Sequence, residues 1–123
     1  MNNKNILIIE DDPFIKQMYV NKIEELGVHV FSTSNLDESI LNKNIVDLIL
    51  LDLVLPNISG FDILKVFKKN DKIKDIPVIV MSNLSSQADI NQAFELGAVD
   101  YIVKSNYTPT EVIRTIQKYL PKN

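Results

Sequence analysis

A chain of 123 residues fits one domain, and with 46% hydrophobic against 24% charged residues it can bury a core without help from a metal or a disulfide. It has no cysteine, which excludes a disulfide framework, a thiolate metal site and a cysteine nucleophile. The net charge of −3 has the wrong sign for bulk attraction to nucleic acid, and the most apolar stretch, Ile45 to Leu55, is too short and too acidic to cross a bilayer.

The first apolar run, Asn5–Ile9, stops at the acidic triplet Glu10-Asp11-Asp12. Asp12 precedes Pro13 and reads as a helix N-cap. In the segment that follows, Ile15, Met18, Tyr19, Ile23 and Leu26 recur at helical spacing, with Gly27 where the helix should end. His29–Thr33 reads as the second strand; its histidine lies far from the acids and is assigned a structural role. A short helix is expected over roughly Asn35 to Asn42. The third strand, Leu48–Leu51, ends at Asp52, and the third helix runs from about Gly60 to Asn70. The fourth strand, Val78–Met81, delivers Ser82, and Ile90, Ala93 and Phe94 form the apolar stripe of a helix closed by Gly97. The fifth strand, Tyr101–Val103, runs into Lys104. Thr108-Pro109-Thr110-Glu111 is a capping box opening the last helix, whose buried stripe is Ile113, Ile116 and Leu120.

The five apolar runs show little polar alternation, as expected of parallel strands covered by helices on both faces. Five strand–helix units with right-handed crossovers predict a single α/β domain over 1–123. The expected architecture is a five-stranded parallel sheet of order 2-1-3-4-5, a flavodoxin-like (βα)5 three-layer sandwich. Ligands of such sheets bind beyond the carboxyl ends of the strands where strand order reverses, here between the first and third strands. Met1 to Asn5 is polar and the apolar run after it stops at Glu10, so no signal peptide is expected and the cytoplasm is the default location.

The chemistry-bearing residues converge on that edge. Glu10 and Asp11 follow the first strand, Asp52 the third, Ser82 the fourth and Lys104 the fifth. Two carboxylates about 5 Å apart repel by roughly 3 kcal/mol at an effective dielectric near 20. A cluster of three therefore calls for counter-charge beyond Lys104. Hard oxygen donors in a site with room for water suit Mg²⁺, an ion that usually also binds a phosphate. Taken singly, Glu10 and Asp11 could be acids near a helix start, Asp52 a turn former, Ser82 a cap, Lys104 a solvated lysine and Tyr101 ordinary core.

In order along the chain stand Ile-Leu-Ile-Ile-Glu-Asp-Asp-Pro at 6–13, Asp-Leu-Ile-Leu-Leu-Asp-Leu-Val-Leu-Pro at 47–56 with Gly60 following, Val-Ile-Val-Met-Ser at 78–82, Gly97-Ala98, and Asp-Tyr-Ile-Val-Lys at 100–104. In these motifs and their spacing the chain resembles the receiver domain of two-component response regulators over essentially its whole length. The resemblance implies that Asp52 accepts a phosphoryl group from a histidine kinase or phosphotransfer protein. It implies that Glu10, Asp11, Asp52 and the Val54 backbone carbonyl hold Mg²⁺. Lys104 would pair with one phosphoryl oxygen and the Ser82 hydroxyl with another, and Tyr101 would be an aromatic switch that turns inward when Ser82 moves. The output face would be the fourth helix, fifth strand and fifth helix, meeting a downstream target with no direct contact to nucleic acid or membrane. Such a domain is a phosphoacceptor and not an enzyme in its own right.

The sequence departs from the family pattern at Ser105, where a proline usually follows the lysine, at Asn83, where a small residue is usual, and at Ser59, in place of a frequent aspartate. Val54 and Leu84, each two residues beyond a site residue, are apolar and unable to orient water, which predicts slow autodephosphorylation. Three rival readings are weaker. A flavin or nucleotide module would need a glycine-rich loop, and the chain has only Gly27, Gly60 and Gly97. A Mg²⁺-dependent phosphohydrolase with an aspartyl-phosphate intermediate would want an acid where Val54 stands. A receiver-like interaction module that is never phosphorylated would have little use for the intact acidic set.

Overall fold

The computed structural model describes residues 4–121. Its elements alternate: β1 (Asn5–Ile9), α1 (Pro13–Glu24), β2 (His29–Thr33), α2 (Glu38–Lys43), β3 (Leu48–Leu51), α3 (Gly60–Lys69), β4 (Val78–Ser82), α4 (Gln87–Glu95), β5 (Asp100–Val103) and α5 (Pro109–Tyr119). The strands form one parallel sheet of order β2-β1-β3-β4-β5, as expected.

The side-chain period of two explains the unbroken apolar runs. Ile6, Ile8, Leu48, Leu50, Ile79, Met81 and Ile102 face one core with α1 and α5, where Tyr19, Ile23, Val112 and Ile116 pack on them. Leu7, Ile9, Ile49, Leu51, Val78 and Val80 face the other core with Ile63, Leu64 and Phe67 of α3 and Ala93 of α4. Each such fully buried aliphatic side chain contributes about 1.5–3 kcal/mol of transfer free energy, so the central strands are fixed from both sides.

Local chemistry sets the helix ends. Asp12 caps α1, its Oδ1 accepting from the N–H groups of Phe14 at 2.9 Å and Ile15 at 3.1 Å, and the chain turns out of the helix at Gly27 with φ 81°. The capping box of α5 is closed in both directions: Thr108 N–H donates to Glu111 Oε1 at 2.9 Å, and Glu111 N–H to Thr108 Oγ1 at 3.2 Å.

Three expectations need correction. The second helix starts at Glu38, not Asn35, because Asp37 takes the N-cap and accepts from Ser39 N–H. Phe94 is 44% exposed, since α4 rests on the sheet through Ala93 with Ile90 half-buried. In α5 the buried stripe is Val112, Ile116 and Leu120, while Ile113 sits at its edge.

One contact ties the fold to the strand ends that matter. Gly60, the first residue of α3, donates its N–H to Leu53 O at 2.9 Å. A Cβ at this position would lie 2.5 Å from both Asp52 O and Leu53 Cα. Gly60→Ala is therefore expected to lower stability by about 1–3 kcal/mol through overpacking against backbone, seen as a lower urea midpoint with an unchanged slope. An unchanged midpoint would show that the loop after β3 yields freely.

Candidate phosphoacceptor and metal site

Strand register builds the site. Ile9 pairs with Leu51 across β1 and β3, so the next residues, Glu10 and Asp52, emerge side by side. Asp52 N–H donates to Ile9 O and Glu10 N–H to Thr33 O, both at 3.0 Å, so the ladder continues through the two acids and holds their backbones. Ser82 ends β4, and Lys104 follows β5 at the start of a 3-10 turn over Lys104–Asn106. The reversal of strand order between β1 and β3 thus lies under a cavity of about 460 Å³ lined in part by Glu10, Asp11, Asp52, Val54, Asn83 and Lys104.

Glu10 and Asp52 are nearly fully buried, at 1% and 6% exposure, whereas Asp11 is exposed. Lys104 Nζ bridges the two buried acids, 2.7 Å from Glu10 Oε1 and 3.0 Å from Asp52 Oδ2. The remaining oxygens are held by backbone: Asp12 N–H donates to Glu10 Oε2 at 3.2 Å, and Val54 N–H to Asp52 Oδ1 at 3.1 Å. A carboxylate oxygen keeps a second lone pair after one such bond, so both acids can still bind a cation. One carboxylate oxygen from each of Glu10, Asp11 and Asp52 lies within 4.8 Å of the others. Three carboxylates against one ammonium leave two negative charges uncompensated when all are ionised, the deficit that one divalent cation closes. The donor set is all oxygen, which fits a hard ion such as Mg²⁺.

The charge imbalance shows in proton affinity. Burial, reinforced by repulsion from Asp52, outweighs Lys104 and pushes Glu10 up to about 7. For Lys104 burial works against the charged form, but its hydrogen bonds to Glu10 and Asp52 and their charges prevail and raise it.

Ser82 and Tyr101 meet at one residue of the β4–α4 loop. Ser82 is fully buried, and its Oγ accepts from Leu84 N–H at 3.2 Å. Tyr101, 7% exposed, donates its hydroxyl to Leu84 O at 2.6 Å. The tyrosine is therefore already turned inward while the serine hydroxyl is engaged by the loop. The sequence flagged Leu84 only for its apolar side chain, whereas its contacts here run through its backbone N–H and carbonyl and leave no mark in residue type.

The remaining sequence readings also find their places. Asp12 is the N-cap and also borders the cavity. His29 is exposed on the edge strand, stacked edge-on against Phe31 with ring centroids 4.6 Å apart. Ser105, in place of proline, stands in the 3-10 turn with a trans peptide before it, and Lys104 still reaches both acids. Ser59 caps α3, its Oγ accepting from Phe61 N–H at 3.1 Å. Among the described residues no helix is long and apolar enough to cross a membrane.

Known proteins share this sequence pattern and fold. The family model described as "Response regulator receiver domain" matches residues 6–117. The phosphate regulon transcriptional regulatory protein PhoB of Escherichia coli is 33% identical over 116 residues, covering 93% of this chain and 50% of its own length. The chain spans about half the length of the curated relatives it matches. Among solved structures, the receiver domain of Francisella response regulator 1452 is 28% identical with a TM-score of 0.83, covering 95% of this chain and 96% of its own. The response regulator protein TrrA of Thermotoga maritima, in complex with Mg²⁺-BeF, is 27% identical with a TM-score of 0.79 and coverages of 95% and 99%.

The raised Glu10 has a measurable sign. Its folded value, about 7, lies above the ordinary 4.5, so its contribution to stability is fully present below about pH 4.5 and is lost as pH rises through about 7. Lys104 titrates far above this window. In metal-free buffer the melting temperature of Glu10→Gln, which stays neutral, should gain on that of the wild type between about pH 5 and about pH 8. A gap that does not change with pH would show that Glu10 ionises as an ordinary carboxylate.

Proposed function

This chain belongs to the response regulator receiver family, and from that premise we propose that Asp52 is the phosphoacceptor of a Mg²⁺-dependent phosphoryl transfer. The observation that carries the reading is the buried Asp52 carboxylate, bonded to Lys104 and within ligand distance of Glu10 and Asp11. Phosphoryl transfer asks a protein mainly to position the reacting oxygens and neutralise charge, and the pocket offers groups for both tasks.

In this reading Glu10, Asp11, Asp52 and the Val54 carbonyl hold Mg²⁺, which supplies charge neutralisation at the phosphoryl oxygens. An Asp52 oxygen forms the new bond to phosphorus as the bond to the donor's imidazole nitrogen breaks. Lys104 pairs with a phosphoryl oxygen, as lysines at phosphates do. The Ser82 hydroxyl leaves Leu84 N–H and turns to donate to another oxygen. The β4–α4 loop, released at Leu84 N–H and still strapped at Leu84 O by Tyr101, shifts between two arrangements. The face made of α4, β5 and α5 carries that change to a target.

The donor is a histidine kinase or histidine phosphotransfer protein, and the protein works in the cytoplasm without touching a membrane. The relatives named as transcriptional regulators are about twice as long as this chain, so contact with DNA is assigned to the part of such proteins outside the matched half. The receiver accepts a phosphoryl group and loses it slowly, with no turnover of other substrates.

Incubation with Mg²⁺ and phosphoramidate should add one phosphoryl group by intact mass. Asp52→Ala, or the wild type in excess chelator, should gain none. Equal labelling of Asp52→Ala would place the acceptor elsewhere. Val54 is 56% exposed at the cavity and Leu84 half-buried, and neither side chain can orient water. The phosphorylated protein, desalted into Mg²⁺ buffer, should therefore keep its label for minutes or longer, and hydrolysis within seconds would contradict this.

A further inference from the structure

Among the described residues, one uncharged polar residue lines the cavity over the strand ends. Asn83 stands there with four acids, Glu10, Asp11, Asp12 and Asp52, and with Lys104. Its place follows from register. Ser82 pairs with Val103 across β4 and β5, so the next residues, Asn83 and Lys104, leave the sheet side by side. A small residue is usual here in the family, so this amide is particular to the chain.

The backbone around Asn83 is held on both sides. Before it, Ser82 closes the ladder between β4 and β5. After it, Leu84 donates its N–H to Ser82 Oγ and accepts from the Tyr101 hydroxyl. Both bonds bypass Asn83, so its amide is not spent on holding the loop. The residue is exposed, and exposed side chains change rotamer within nanoseconds.

The chemistry of the pocket leaves a task for such a group. A phosphoryl group brings about −1.5 to −2 charge and three acceptor oxygens in known modified side chains. A lysine ammonium has three donors, and two of those of Lys104 are engaged by Glu10 and Asp52. The Ser82 hydroxyl has one. The acids offer none, because an ionised carboxylate only accepts. The Asn83 amide has two N–H donors and adds no negative charge to a pocket that already holds a surplus.

We propose that the Asn83 side chain is a further catalytic group of the phosphoryl transfer, its amide N–H donating to a phosphoryl oxygen beside Lys104. The proposal rests on the phosphoacceptor reading of Asp52. With phosphoramidate as donor, an Asp52 oxygen forms the new bond to phosphorus as the phosphorus–nitrogen bond breaks. The electron pair of that bond leaves with the already protonated nitrogen as ammonia, so no proton comes from Asn83. The amide acts by stabilising charge on the oxygen it holds, from a position its neighbours have fixed in advance.

The test compares the full chain with Asn83→Ala and with Asn83→Leu, which keeps a branched side chain but cannot donate. Rate constants for phosphorylation by phosphoramidate in excess Mg²⁺ should fall about tenfold in both variants, the scale of one hydrogen bond to a charged group. The rise in melting temperature caused by Mg²⁺ alone should stay as in the wild type, since the acids are untouched. A second measurement uses the wild type alone: beryllofluoride, a phosphoryl mimic, added in the presence of Mg²⁺ should shift the side-chain amide resonance of Asn83. An unchanged rate in either variant, a lost Mg²⁺-induced rise, or an unshifted Asn83 amide would each overturn the role of Asn83. A wild type that is labelled as fast as its variants would leave Asp52 as acceptor, whereas one that neither takes label nor responds to beryllofluoride would overturn both readings.

Discussion

The Lys104 ammonium, held 2.7 Å from Glu10 and 3.0 Å from Asp52, is the interaction on which the site depends. Two carboxylates this deeply buried could not be tolerated at adjacent strand ends without it, because an unpaired buried charge costs several kcal/mol against a domain stability of about 5–15 kcal/mol. One ammonium is too little for three acids, and the shortfall is the functional content of the pocket. The pocket keeps a surplus of negative charge of the size that one divalent cation would offset.

Most of this was legible in the sequence because the determinants are one-dimensional. Runs of Ile, Val and Leu marked β1, β3 and β4, since strands buried on both faces need no polar alternation, whereas the edge strand β2, His-Val-Phe-Ser-Thr, buries only Val30. The acids and Lys104 were legible because each stands directly after such a run. Where the reading slipped, the cause was three-dimensional. The helix from Glu38 begins late because Asp37 outcompetes earlier residues as a cap. Phe94 keeps helical spacing but is 44% exposed, and in α5 Val112 is buried while Ile113 lies at the edge of the core.

The signalling elements are built differently from the binding elements. Glu10 and Asp52 belong to the sheet ladder, whereas the loop after β4 is held at Leu84 by two side chains, Ser82 and Tyr101. Those two bonds use the N–H and the carbonyl of one residue, so a change at either side chain is felt at the same place.

The ladder has a further consequence. Adjacent strands lie about 4.7–4.9 Å apart, and the three carboxylate oxygens lie within 4.8 Å of one another. The backbones of Glu10 and Asp52 take their spacing from the ladder that carries them, while exposed Asp11 stands outside it. Heating should accordingly fray the helices and the β4–α4 loop before the two buried acids lose their spacing.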